Sequence, residues 1–282
     1  MNIQRLEPIG ALISGIDVRT LDDAAFAVIY RTWLECNVIC VRDQQLELAD
    51  FLAYSRRFGS VQPHPSKSTR HPQCPEITLM GVNKFRADGT LDPDVYRRGA
   101  EGFHTDGSYE KVPFKATQLY GVAIPSRGGD THFSCAYAAY DALSSEMKRH
   151  LEGKFGLFKY GGRRKADALL EAADRTVPPV RHALIQVHPE SGRKLLYFDP
   201  NKILAVEGLP SAESNAILDE LTAFMQNPPA QYRHRWRAGD VVIWDNRCSY
   251  HKAAGDYPPE QDRIHWRVSI QGFSQAGRLA AE

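Results

Sequence analysis

The sequence predicts a mainly β protein with flanking helices, built on a jelly-roll barrel. Three observations carry that reading. Short strand patterns rich in Val, Ile, Tyr and Trp dominate on both sides of the middle of the chain, at 76–82, 116–124, 232–236, 240–244 and 265–272. Helical patterns concentrate between these blocks, in an insert over about 136–226. No internal repeat or low-complexity segment interrupts the 282 residues, which read as a single domain, 1–282, with a scaffold lobe over about 1–60. In such a barrel the first and last strands come together to close a pocket.

Composition narrows the partners. Hydrophobic residues make up 43% and charged residues 24%, and 35 Lys and Arg against 34 Asp and Glu leave a net charge of +1. That balance suits a soluble protein and excludes a global field that would draw in nucleic acid or an anionic membrane. Cys36, Cys40, Cys74, Cys135 and Cys248 form no Cys-x-x-Cys pair, lie in or beside apolar runs, and read as reduced thiols. No apolar run approaches the roughly 18 residues of a membrane span, and no basic-then-apolar leader opens the chain. A cytoplasmic location is expected.

Residues 2–18 alternate loosely around Gly10 and Gly15 and predict a short hairpin or paired strands. Asp22 or Asp23 then caps a helix over about 23–36, where Ala25, Phe26, Ile29, Trp33 and Leu34 recur at helical spacing. Val38–Val41 reads as a short buried strand, and a second helix runs over about 48–58 to Gly59. His64, flanked by prolines, reads most simply as an exposed loop residue. Residues 83–99 form a charged loop, a candidate lid. Gly128 and Gly129 turn the chain into a strand in which Thr131 has ordinary β propensity and His132 points to the other face. Further helices are expected at 136–151, 166–173 and 211–225. A hairpin of 182–187 with 194–198 has His188-Pro189-Glu190-Ser191-Gly192-Arg193 at its tip.

Chemistry concentrates in Gly102-Phe103-His104-Thr105-Asp106-Gly107. If that stretch is extended, His104 and Asp106 project from one face. A second imidazole, His251 at the end of Trp244-Asp245-Asn246-Arg247-Cys248-Ser249-Tyr250-His251, completes two nitrogens and an oxygen on one side of a metal. Such a set leaves the opposite positions open, as in non-haem Fe(II) oxygenases. His-x-Asp alone is a weak signal. His150/Glu152 and His188/Glu190 repeat the spacing, one at a solvated helix end and one at a hairpin tip, without a third ligand. Beyond His251, Arg263 and Arg267 fall on one face of a strand with His265 between them. Read alone, Arg263 is a surface arginine.

With these residues in this order, the chain resembles the TauD/TfdA family of 2-oxoglutarate-dependent dioxygenases. The likeness extends to Gly128-Gly129-Asp130-Thr131, to His188 through Lys194, to Gly239-Asp240 and to Arg263-Ile264-His265-Trp266-Arg267, and it runs from about residue 17 to about 272. It implies the double-stranded β-helix, cupin-like form of the jelly roll. It also implies Fe(II) on His104, Asp106 and His251, with 2-oxoglutarate and O2 consumed, succinate and CO2 released, and a C–H bond of a small anionic organic substrate hydroxylated. By the same resemblance Arg263 and Thr131 bind 2-oxoglutarate, the guanidinium forking onto its far carboxylate. Arg267 meets the anionic group of the primary substrate, a sulfonate or carboxylate, His64 contacts that substrate, and the chain forms a homo-oligomer, a dimer or tetramer. Ala100 and Phe103 stand where taurine enzymes carry Asn and Trp, which argues against taurine itself, and Asp106 argues against a halogenase. Two other readings stay open: a barrel that binds metal or ligand without turnover, and a zinc-dependent hydrolase using the same His, Asp and His.

Overall fold

In the computed structural model, which describes residues 1–63, 69–82, 84–92, 96, 99–100, 102–163 and 177–272, the chain is built around one large sheet. The amino-terminal part supplies β1 (Asn2–Arg5), β2 (Ala11–Ser14), α1 (Asp23–Cys36), β3 (Val38–Val41), α2 (Leu48–Arg56), β4 (Arg70–His71), β5 (Cys74–Met80) and β6 (Phe114–Ala123). The middle supplies β7 (Thr131–Cys135), α3 (Ala136–Ala142), α4 (Ser145–Leu151), β8 (Phe155–Phe158), β9 (Val180–Ala183), β10 (Ile185–Val187), β11 (Lys194–Leu196), β12 (Ile203–Val206) and α5 (Ser211–Phe224). The last part supplies β13 (Gln231–His234), β14 (Val241–Asp245), β15 (Ser249–Ala253) and β16 (Ile264–Gln271). Eight strands pair in the order β1-β2-β3-β14-β6-β16-β5-β4, and a second sheet is β13-β7-β15. This is the expected mainly β jelly roll with flanking helices.

Alternation along the central strands creates two cores. On one face of the large sheet, Ala116, Tyr120, Val241, Ile243, Val268 and Ile270 pack against Ile29, Trp33, Phe51 and Phe58 from α1, α2 and the turn after it. On the other face, Leu119, Val242 and Trp244 join Phe133 of the second sheet. Strands buried on both faces read as continuous apolar runs, as Val-Val-Ile-Trp does. The inner face of this sandwich is where the polar side chains of the site project.

Several expectations are corrected. The first strand stays at a sheet edge, and the last strand, β16, runs between β5 and β6. Residues 102–106 are not a strand: His104 makes a single bridge with His251, and Asp106 begins a turn. The helix expected at 136–151 is two helices, because Leu143 is extended (ψ 144°) and the Ser144 side chain caps α4 by accepting from Met147 N at 3.0 Å. The strand at 182–187 divides at Leu184, whose N–H and carbonyl are taken by Lys154 and Tyr197, so that β9 pairs with β8 and β10 with β11. Strands β8 and β12 were not foreseen. His64 and the helix expected at 166–173 lie outside the described residues.

Candidate active site

Strand β15 sets His251 opposite Phe133 of β7, and His104 closes onto it from the other side. His104 N donates to the His251 carbonyl at 3.0 Å and His251 N donates to the His104 carbonyl at 2.9 Å. These two main-chain bonds hold the imidazoles together, with ring centres 4.3 Å apart. Thr105 donates its hydroxyl to the Asn246 carbonyl at 2.7 Å and anchors the turn that brings Asp106 to them. His251 Nε2 lies 3.7 Å from Asp106 Oδ2, and one ligand atom from each of His104, Asp106 and His251 lies within 4.8 Å of the others.

A chain of hydrogen bonds orients the carboxylate. Trp244 Nε1 donates to Asn246 Oδ1 at 2.8 Å, Asn246 Nδ2 donates to Thr117 Oγ1 at 2.9 Å, and Thr117 donates to Asp106 Oδ2 at 2.7 Å. Arg267 Nη2 stands 3.0 Å from Asp106 Oδ1. Burial pushes the Asp106 carboxyl up, but Arg267 first, then His251, His104 and the Thr117 bond, hold it well below the usual carboxylate range. Burial and then His104 push His251 down to about 3, against the pull of Asp106. It is therefore a neutral imidazole at ordinary pH. His104 Nδ1 donates to the Gly102 carbonyl at 3.0 Å, which leaves the Nε2 lone pair for a metal. His251 Nδ1 is buried without a partner among the described residues. Two imidazoles with available lone pairs and one ionised carboxylate are a donor set that fits a divalent cation.

At the other end of the inner face, Arg263 is 9% exposed, with Nε donating to the Gly129 carbonyl at 2.7 Å and Nη2 standing 3.4 Å from Thr131 Oγ1. Arg263 is therefore not a surface residue. Asp130 and Asp256, whose charges it feels, pair instead with Arg233 at 2.5 and 3.8 Å. Among the described residues no carboxylate forms an ion pair with Arg263. A buried guanidinium without a counter-ion is costly, so this one fits a ligand's carboxylate. Trp236 Nε1 also donates to Thr131 Oγ1, at 3.0 Å, which leaves the threonine's own proton free to be donated. Thr131 lies two residues from Phe133, the neighbour of His251, roughly 7 Å along the strand. A five-carbon dicarboxylate has the length to reach from one end to the other.

The family model described as "Taurine catabolism dioxygenase TauD, TfdA family" matches residues 2–269. The chain belongs to the TauD/TfdA family. The (S)-phenoxypropionate/alpha-ketoglutarate-dioxygenase of Sphingobium herbicidovorans is 32% identical over 279 residues, covering 93% of this chain and 92% of that one. The alpha-ketoglutarate-dependent 2,4-dichlorophenoxyacetate dioxygenase of Cupriavidus pinatubonensis is 32% identical over 254 residues, covering 85% and 87%. Among solved structures, a taurine dioxygenase from Burkholderia xenovorans superposes with a TM-score of 0.79 at 29% identity, covering 96% of this chain and 89% of that one. The TauD/TfdA protein described here is thus a 2-oxoglutarate-dependent non-haem iron dioxygenase with the double-stranded β-helix fold.

Other parts of this TauD/TfdA enzyme frame the site. Tyr109 lies close enough to Arg267 and Asp106 for both charges to act on its hydroxyl, and its ring meets Tyr160 edge-on at 5.3 Å. From the charged loop, Lys84 donates to the Gln261 carbonyl and Tyr96 to the Tyr257 carbonyl, which fastens it beside Arg263. His188 stands at the tip of the β10–β11 hairpin, as expected, but is buried there, and its Nε2 meets Asp245 Oδ2 at 3.1 Å. Asp245 and Glu190 both hold Arg247, so this second His and acid group is a structural clamp. Thr117, Trp236 and Tyr109 were missed as site residues, since nothing local in the sequence distinguishes them. Asn246 lies in the segment that leads from Trp244 to His251, and only its bonds reveal its part. No helix among the described residues is long and apolar enough to cross a membrane.

Proposed function

We propose that this enzyme hydroxylates a small organic anion of the aryloxyalkanoate or sulfonate class, with Fe(II) held by His104, Asp106 and His251. The observation that carries this reading is the pair of inward guanidinia at the two ends of the inner face: Arg263, without a counter-ion among the described residues, and Arg267 beside Asp106 at 3.0 Å. Ferrous iron with 2-oxoglutarate and O2 supplies oxidative decarboxylation to succinate and CO2, coupled to oxygen insertion into a substrate C–H bond. The protein's own residues do the rest. Asp106 stays ionised and is kept in one orientation by Thr117, while Phe133 and Trp244 pack around His251 and exclude water. Arg263 and Thr131 take the far carboxylate of 2-oxoglutarate. Arg267 uses one nitrogen on Asp106, and its remaining donors serve the anionic group of the primary substrate. Tyr109 and Tyr160 offer ring faces and edges to an aryl group. The names of two relatives, which refer to phenoxy acids, favour an aryloxyalkanoate over an alkyl sulfonate.

The test is a succinate-release screen over phenoxyalkanoates, sulfonates and other small carboxylates, with Fe(II), 2-oxoglutarate and oxygen. A phenoxy acid should stimulate release, and Arg267→Ala should raise its KM by roughly 10–100-fold, the weight of a lost hydrogen bond to a charged group. The same variant should still give the visible charge-transfer band of the ferrous 2-oxoglutarate complex in sealed, oxygen-free cells. An unchanged KM for Arg267→Ala would sink the substrate assignment, and a missing band in the wild type would sink the metal assignment.

A further inference from the structure

We propose that His265 is an additional anchoring residue for the far carboxylate of 2-oxoglutarate, donating a ring N–H into the pocket end formed by Arg263 and Thr131. This rests on Arg263 and Thr131 holding that carboxylate. Strand β16 sends Trp266 to the helix-covered face, where it packs on Phe51 and Tyr120 with ring centres 6.2 and 5.1 Å away. Its neighbours on the strand therefore point inward. Arg267 does so, reaching Asp106, and His265 occupies the next inward position, between Arg267 and Arg263.

His265 is 0% exposed, and neither Nδ1 nor Nε2 has a hydrogen-bond partner among the described residues. Native proteins rarely bury such a group unsatisfied, and a neutral imidazole must place one N–H somewhere. Burial, then the charges of Arg263 and His234, keep the ring neutral. The surroundings indicate what that N–H meets. The indole of Trp236 lies edge-on to the His265 ring at 4.4 Å, and its Nε1 donates to Thr131 Oγ1 at 3.0 Å, the same oxygen that Arg263 Nη2 approaches at 3.4 Å. Imidazole, indole, hydroxyl and guanidinium thus meet at one end of the inner face; the indole N–H is spent on the hydroxyl, and the other three groups keep donors to offer. The unmet acceptor there is an anion. With His265 as a further donor, the site reads the length of the keto acid as well as its charge.

The experiment is oxygen-free titration of the ferrous enzyme with 2-oxoglutarate and, separately, with 2-oxobutyrate, which has the same chelating end and no far carboxylate. His265→Phe keeps a flat ring and removes both nitrogens. It should weaken 2-oxoglutarate binding roughly 10–100-fold and leave 2-oxobutyrate unchanged, with His265→Gln recovering part of the loss. Equal effects on the two acids, as expected if the ring only holds a water or fills space, or no effect on 2-oxoglutarate, would overturn the proposal. Arg263→Ala separates the two claims. If it leaves 2-oxoglutarate binding intact, the underlying assignment fails, whatever His265 does. Should the Phe variant not fold, wild-type protein with 15N-labelled histidine and zinc in the metal site gives the reading directly. A new, slowly exchanging imidazole N–H should appear with 2-oxoglutarate and not with 2-oxobutyrate, and its failure to appear overturns the proposal.

Discussion

At the scale of single residues, the carboxylate of Asp106 depends on a side chain that lies outside the proposed His104, Asp106 and His251 donor set. Thr117 is fully buried, accepts from Asn246 and gives its only proton to Asp106 Oδ2 at 2.7 Å. Because its oxygen is already taken as an acceptor, the direction of its O–H is fixed, and so is the carboxylate plane. Thr117→Val keeps the shape and removes that bond. Metal affinity should fall roughly 10–100-fold, as for other groups that orient a metal ligand, while Thr117→Ser stays close to wild type. Calorimetric titration with Mn(II) checks this, and a Val variant that binds as tightly as wild type would remove Thr117 from the site. Residues of this kind were invisible in the sequence for a physical reason. His104, Asp106 and His251 could be picked out because few other residue types do metal chemistry, and Arg263 and Arg267 because the family resemblance singled them out among ordinary arginines. Thr117 and Trp236 act through bonds across strands, and a strand threonine or tryptophan needs no such role to be there.

At the scale of elements, the site is set by where strands meet. The sequence was read as placing His104 and Asp106 on one face of a strand. They share a space instead because a single bridge to His251 positions one and a turn positions the other. Strands as short as Phe155–Phe158 and Ile203–Val206 escaped notice because four residues carry too little periodicity, and the register shift between Ile203 and Ala205 weakens it further. The clearest dependence of the site on its supporting elements is at Gly81, just past β5. Its φ is +83°, and a Cβ there would stand 1.8 Å from the Arg263 carbonyl oxygen. Any side chain must therefore push away the segment that carries Arg263. Gly81→Ala should cost about 1–3 kcal/mol of stability from backbone strain alone. It should also weaken 2-oxoglutarate binding more than metal binding, since His104, Asp106 and His251, the proposed metal ligands, lie on other elements. Urea denaturation and the two titrations check it, and a variant as stable as wild type would show that the contact relaxes without consequence.

At the scale of the whole molecule, enclosing polar groups between two sheets links folding to protons. His234 and His265 are both 0% exposed, and burial lowers the affinity of each for a proton below the ordinary value of 6.5. Above pH 6.5 neither the folded nor the unfolded chain carries these protons, so they contribute no pH dependence. Below it the unfolded chain takes up two that the native state refuses, and stability falls with pH. His251, lowered to about 3, acts in the same direction whenever no metal holds it. Asp199 opposes them: burial raises its carboxyl above 3.8, so the native state keeps a proton that the unfolded chain has released, which favours folding as pH falls. The imidazoles outnumber it. Unfolding of the metal-free protein by urea should therefore show a flat midpoint above about pH 7 and a decline from pH 6.5 to 5. The limiting slope is about 1.4 kcal/mol per pH unit for each net proton taken up. His265→Phe should make that decline shallower without moving the plateau downward, since it removes a group that is neutral in one state and charged in the other. A midpoint constant down to pH 5 would mean that these imidazoles take up protons inside the folded barrel.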